Sequence, residues 1–167
     1  SRGDRVRVLL EGPLDIPWKG MADAFAAVNN LDCEVWCVSR TGELQPEWRC
    51  DQFFRHVPMA DMKHVYSSCD ILLKLSQVEG FFGPPMEMMA CGGTAVVGSC
   101  TGHDEYIVHG VNALVVPLHD PAAAAAAVHQ LIHDPGLRQR LAVAGMETAS
   151  RWRWDRTIDT LQQLFTS

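Results

Sequence analysis

Two glutamates, Glu79 and Glu87, flank the run Gly80-Phe81-Phe82-Gly83-Pro84-Pro85. The run follows an apolar segment and opens a helical one. Glycines let a backbone come close to a ligand, and a helix start offers N–H groups with a partial positive charge. Together they suit a phosphate or a sugar oxygen. Glu87 falls among Met86, Met88, Met89 and Ala90, so it is expected on a mostly buried helix, where a carboxylate needs hydrogen-bonding partners such as ligand hydroxyls. The alternative is an acid favoured by the helix dipole in the first turn, with Glu79 solvated. Lys19, in Trp18-Lys19-Gly20, stands where the first strand hands over to its helix. An ammonium there can neutralise phosphate. The plain alternative is a surface lysine in a first helical turn, where the dipole disfavours it.

Other chemistries lack their residues. Glu11-Gly12-Pro13-Leu14-Asp15 is not a G-x-G-x-x-G, so a nicotinamide-dinucleotide site is not expected. There is no Walker lysine motif and no G-x-S-x-G elbow. Six cysteines, at 33, 37, 50, 69, 91 and 100, form no C-x-x-C and sit mostly in apolar runs. They read as reduced thiols packed as small hydrophobes. The seven histidines have neither H-E-x-x-H nor finger spacing, so no metal is expected. The Met86, Met88, Met89 group reads as core rather than as a cofactor box. Trp152 and Trp154 with Arg151, Arg153 and Arg156 read as amphipathic packing of a last helix rather than as a nucleic-acid patch.

The elements that must hold these residues alternate. Strands are predicted over 5–11, 33–39, 52–57, 70–76, 94–99 and 113–118. Helices are predicted over 18–30, 61–69 and 84–91, with a helical turn at 103–108. Met21, Ala24, Phe25 and Val28 give the first helix its apolar stripe. Gly92 and Gly93 end the third. A helical tail follows: one helix capped by Asp120-Pro121 and running to about His133, another over 137–150, and a last over 154–165. Strand and helix in alternation predict a doubly wound, Rossmann-like parallel sheet of about six strands, with helices on both faces, in one domain. Ligands of such sheets sit at the carboxyl ends of the strands, which selects 12–19, 39–42, 57–58, 76–83 and 99–104.

The chain has 167 residues, 47% hydrophobic and 20% charged. Lys plus Arg is 14 and Asp plus Glu 20, a formal charge of −6. An acidic chain is poorly suited to coating nucleic acid or an anionic membrane. No apolar run approaches the roughly 20 residues of a membrane span, and the longest, 121–128, is mostly alanine. Ser1 to Asp4 has no apolar h-region behind a basic start. The chain opens directly into a strand, as at a domain boundary, and a cytoplasmic location is expected.

Residues 78–99, VEGFFGPPMEMMACGGTAVVGS, resemble the signature of family 4 retaining glycosyltransferases of the GT-B fold. That family carries a Glu, seven residues, Glu motif before an "AMACGTPVV" stretch. Here the pair is Glu79 and Glu87, with seven residues between them. Residues 61–70 are similar to the family's "eLxxLYxxAD" helix, 102–107 to its "GGixEvv" turn, 110–117 to "dGxnGllv", and Asp134-Pro135 with Trp154 to its "dp…fsW" tail. The resemblance covers nearly the whole chain. It implies the carboxyl-terminal, donor-binding half of a two-domain enzyme, whose absent amino-terminal half binds the acceptor and is the route for any peripheral membrane association. The implied ligand is a nucleotide-diphosphate sugar of UDP, GDP or dTDP type, used without metal or cofactor and with retention of anomeric configuration. Glu87 would hold the ribose hydroxyls and Glu79 those of the donor sugar. The backbone of Gly80 and the N–H groups of Phe81, Phe82 and Gly83 would meet sugar or phosphate oxygens. Lys19 would meet the diphosphate, so that Glu79 and Lys19 serve the transfer itself. Glycan or lipid-linked acceptors, in bacterial polysaccharide assembly, are the implied setting.

Two departures bear on this expectation. The family's "GRL…KG" places an arginine on the diphosphate, where this chain has Pro13. Losing one charge-assisted contact costs on the order of 1.5–3 kcal/mol unless another group replaces it, and Arg40 and Lys74 both lie near strand carboxyl ends. The family's "EGFGLP" is here "EGFFGP", with Phe82 at a usual glycine, which is expected to reshape the sugar pocket. The alternative to an enzyme half is a catalytically impaired module that binds nucleotide sugar weakly or mediates interactions.

Overall fold

The computed structural model describes residues 5–152; the helix expected over 154–165, with Arg153, Trp154 and Arg156, lies outside them. Six strands form one parallel sheet: β1 (Arg7–Glu11), β2 (Glu34–Ser39), β3 (Gln52–Arg55), β4 (Ile71–Lys74), β5 (Thr94–Gly98) and β6 (Leu114–Val116), in the order β3-β2-β1-β4-β5-β6. Val8 pairs with Val35 on one side and Ile71 on the other. The strands are shorter than the apolar runs that announce them, because a strand lasts only while a neighbour pairs with it. The β1–β4 ladder spans only Val8 to Leu10 on the β1 side.

Among the described residues five α-helices cover the faces: α1 (Met21–Val28), α2 (Met62–Ser68), α3 (Gly83–Ala90), α4 (Pro121–His133) and α5 (Pro135–Arg151). Each side of the sheet has its own core. One joins Leu10, Phe25, Val28, Ile71, Leu131 and Leu141. The other joins Leu9, Tyr66, Leu72, Phe82, Met88 and Met89, so the methionines are core, as their spacing suggests. The central strands are buried on both faces and read as continuous apolar runs. Burying one such Leu or Ile contributes about 1.5–3 kcal/mol.

Three helical segments differ from expectation. The one expected over 18–30 is a 3-10 turn, Pro17–Lys19, then α1, separated by Gly20 in the left-handed region (φ 67°). The one expected over 61–69 likewise opens as a 3-10 turn, Met59–Asp61. The turn at 103–108 shortens to His103–Glu105 because Tyr106 and Ile107 turn into the core. Asp120 accepts from the Ala123 N–H at 2.8 Å, and Asp134 from the Leu137 N–H at 2.8 Å, so α4 and α5 each start on a carboxylate cap. Among the described residues no helix is long and apolar enough to cross a membrane.

Candidate functional site

The strand order reverses between β1 and β4, and in open α/β sheets that reversal is where a ligand crevice opens. The loops leaving these two strands are locked together. The Gln77 N–H donates to the Trp18 carbonyl at 2.8 Å. A Cβ on Gly20 would stand 2.1 Å from the Leu75 carbonyl oxygen, so only glycine lets the start of α1 rest against the end of β4. The loop after β5 joins them. Thr101 bridges to Val78, and a Cβ on Gly102 (φ +88°) would stand 2.5 Å from the Gly80 carbonyl oxygen.

Inside this junction Lys19 Nζ donates to Glu79 Oε1 at 2.8 Å, with the side chains 22% and 14% exposed. The ammonium and the carboxylate, 60 residues apart in sequence, are thus one part-buried ion pair. An anion arriving at Lys19 competes with Glu79 for it.

Glu87 departs from expectation. α3 buries Pro85, Met86, Met88 and Met89, which leaves Glu87 on the outward side, exposed. It meets the phenol of Tyr66 on α2. Burial, then the Glu11 and Glu87 carboxylates and a hydrogen bond with Glu87, push the Tyr66 hydroxyl well above the usual phenol range. Phe82 departs too. Its ring is wholly buried in the core, and its neighbour Phe81 is the exposed one. Phe81 leans on Tyr106 and Trp152, with ring centres 5.9 and 5.7 Å away.

The start of α3 has few N–H groups to offer a ligand, contrary to the sequence expectation. Gly83 donates its own to the Phe81 carbonyl at 2.9 Å, and Pro84 and Pro85 have none. The Tyr106 hydroxyl donates to the Phe82 carbonyl at the helix start. The N–H groups of Phe81 and Phe82 have no backbone acceptor among the described residues. Those two, not the helix end, are what the loop can present.

Of the two cations named for the place left by Pro13, Arg40 is exposed beyond β2, whereas Lys74 ends β4 with only 4% of its surface exposed. Lys74 Nζ donates to Glu11 Oε2 and to the Glu11 carbonyl, both at 2.8 Å. A buried thiol registers the whole set. Burial and the Glu79 carboxylate push Cys100 up, while Lys74 and Lys19 draw it down. Glu11, Tyr66 and Tyr106 contact the residues singled out from the sequence but were not themselves singled out. For Glu11 the signal was present, as an acid ending an apolar strand. Among the described residues no group of three or more His, Cys, Asp or Glu side chains is placed to hold a metal.

A sequence profile of the group 1 glycosyl transferases matches residues 51–148. The chain belongs to that family. This glycosyl transferase chain is 31% identical over 104 residues to the D-inositol 3-phosphate glycosyltransferase of Thermobifida fusca, covering 62% of the chain and 24% of that protein. It is 30% identical over 108 residues to the enzyme of the same name from Corynebacterium diphtheriae, covering 65% and 25%. It therefore spans about a quarter of the length of the curated relatives it matches. Among solved structures, sucrose-phosphate synthase from Thermosynechococcus elongatus superposes with a TM-score of 0.84 at 22% identity, over 98% of this chain and 45% of that one. The C-terminal domain of the group 1 glycosyl transferase LpcC from Francisella tularensis gives 0.76 at 18% identity, over 88% and 85%. Anabaena HepE in complex with UDP-glucose gives 0.83 at 19% identity, over 98% and 50%. The fold is that of a Rossmann-like half of a GT-B glycosyl transferase. The profile match takes in Lys74, Glu79 and Glu87 but not Glu11 or Lys19; the sheet brings those two to it.

Proposed function

We propose that this chain is the donor-binding half of a retaining glycosyltransferase, taking a nucleoside-diphosphate sugar at the β1–β4 crevice and acting with an acceptor-binding amino-terminal half. The observation that carries this reading is the Lys19–Glu79 pair: a cation for the diphosphate and a carboxylate for the sugar hydroxyls, 2.8 Å apart at the strand reversal of a group 1 chain. Glu87, exposed on α3, has carboxylate lone pairs beyond its contact with Tyr66 to accept from ribose hydroxyls. The Phe81 and Phe82 N–H groups and the Gly80 backbone lie along the same loop. Lys19 neutralises charge that builds on the departing diphosphate, with no metal needed for that role. Family likeness supports a glycan or lipid-linked acceptor, a setting in polysaccharide assembly, a cytoplasmic location and membrane contact through the other half. HepE, crystallised with UDP-glucose, makes UDP the first nucleotide to try.

Calorimetric titration of the chain with UDP, GDP and dTDP, with and without their sugars, tests this. One nucleotide should bind selectively, and Glu87→Ala should weaken it about tenfold, the worth of a hydrogen bond to a charged group. Binding of none by the wild type, with no gain in Pro13→Arg, overturns the reading. The chain by itself should transfer no sugar, since half of the cleft is elsewhere.

A further inference from the structure

An ammonium is an expensive residue with which to end a strand buried on both faces. Desolvating it costs several kcal/mol, and well-packed apolar side chains in place of such a pair are often neutral or stabilising. Yet β4, otherwise Ile71, Leu72 and Leu73, ends in Lys74, buried where the strand order reverses. Both hydrogen bonds that Lys74 Nζ makes go to one residue, Glu11, leaving the third of its N–H donors with no partner among the described residues. The two members of the pair are unequally held. The Lys74 side chain is 4% exposed and Glu11 23%. Glu11 also directly precedes Gly12-Pro13, so its carboxylate is the one able to turn outward to water. Lys19–Glu79 has the same form a few residues along the crevice: a lysine whose charge is met by a glutamate rather than by a ligand. Both lysines and Glu79 act on the one Cys100 thiol.

We propose that Lys74 is a second phosphate-binding cation of this site, and that Glu11 is an internal stand-in for the ligand's anion, displaced when a diphosphate arrives. The inference rests on the reading that the crevice takes a nucleoside diphosphate. It gives the chain two phosphate cations although position 13 is proline. It also assigns Glu11 an inhibitory share in binding, which a purely structural ion pair would not have.

The opposite signs of two variants test this. The probes are the diphosphate that binds best among UDP, GDP and dTDP, and the matching nucleoside without phosphate. In calorimetric titration, Glu11→Gln, which leaves Lys74 a neutral hydrogen-bond partner, should bind the diphosphate severalfold more tightly than wild type. The double variant Glu11→Gln/Lys74→Met leaves no charge unpaired. It should bind the diphosphate at least about tenfold more weakly, and the salt dependence of its binding should be shallower. Both variants should bind the nucleoside as wild type does, and thermal melts check that both are folded. Unchanged or weaker diphosphate binding in Glu11→Gln overturns the inference, as does unchanged binding in a folded double variant. If the double variant does not fold, Glu11→Gln alone decides. Binding that wild type lacks and Pro13→Arg restores overturns the inference, since Lys74 then does not fill that place; binding of none of the three nucleotides by either overturns the functional reading instead.

Discussion

Tyr106 shows what one hydroxyl can hold. It donates to the Phe82 carbonyl, and so caps the start of α3 from inside. Removing it takes the hydroxyl donor from the buried Phe82 carbonyl, which costs about 1–3 kcal/mol. Tyr106→Phe should therefore lower the urea midpoint with an unchanged denaturant slope, and an unmoved midpoint would refute the capping role. This residue lay within a turn that sequence alone matched to a family motif, but nothing in the letters aimed its hydroxyl at a loop 24 residues earlier. The same limit explains the two phenylalanines. Adjacent residues in an irregular loop carry no periodicity to separate core from surface, so the letters did not show that Phe82 is the buried ring and Phe81 the exposed one. Lys19 and Glu79 were legible as residue types at strand ends, but not as partners. Their pairing depends on which strands are neighbours.

At the scale of elements the sequence was a good guide, because turn and cap residues act locally. Asp134 followed by Pro135 marked a break, and the break serves two helices: α4 ends on it, and α5 starts from its carboxylate. Asp134→Ala should destabilise the chain by about 1 kcal/mol, lowering the thermal midpoint by roughly 2–4 °C. Calorimetry showing no shift would mean that α5 holds its first turn by packing alone. What was misjudged at this scale was a count rather than a pattern. Pro84 and Pro85 favour a helix start, but they also remove the donors for which a helix start is valued. Gly20 was read as the continuation of a helix, whereas the close approach of the β4 end demands a break there.

At the scale of the molecule, the alternation of elements announced a parallel sheet but not its order, since β1 could have taken its second neighbour from several strands. That order decides the site. It also places both tyrosines of the chain, Tyr66 and Tyr106, in one core. Burial raises both phenols above their usual range, so the neutral form is the one the fold accommodates. Their contribution to stability is complete below about pH 10, the value for an unfolded tyrosine, and is lost as pH rises beyond it. Phenolate absorbance should then appear in one step together with the loss of circular dichroism. Phenolate appearing near pH 10 in a chain that still has its native dichroism would contradict this. The β1–β4 pairing joins Val8 to Ile71, the longest span of chain that any ladder here closes. Closing a long loop is slow and entropically costly, and the crevice does not exist until it is done. A molecule that binds there grips a contact the folding chain makes only after its local ones. It lengthens the lifetime of the folded chain and leaves the speed of folding alone; in a cell, ligand supply would set how long each copy escapes proteolysis.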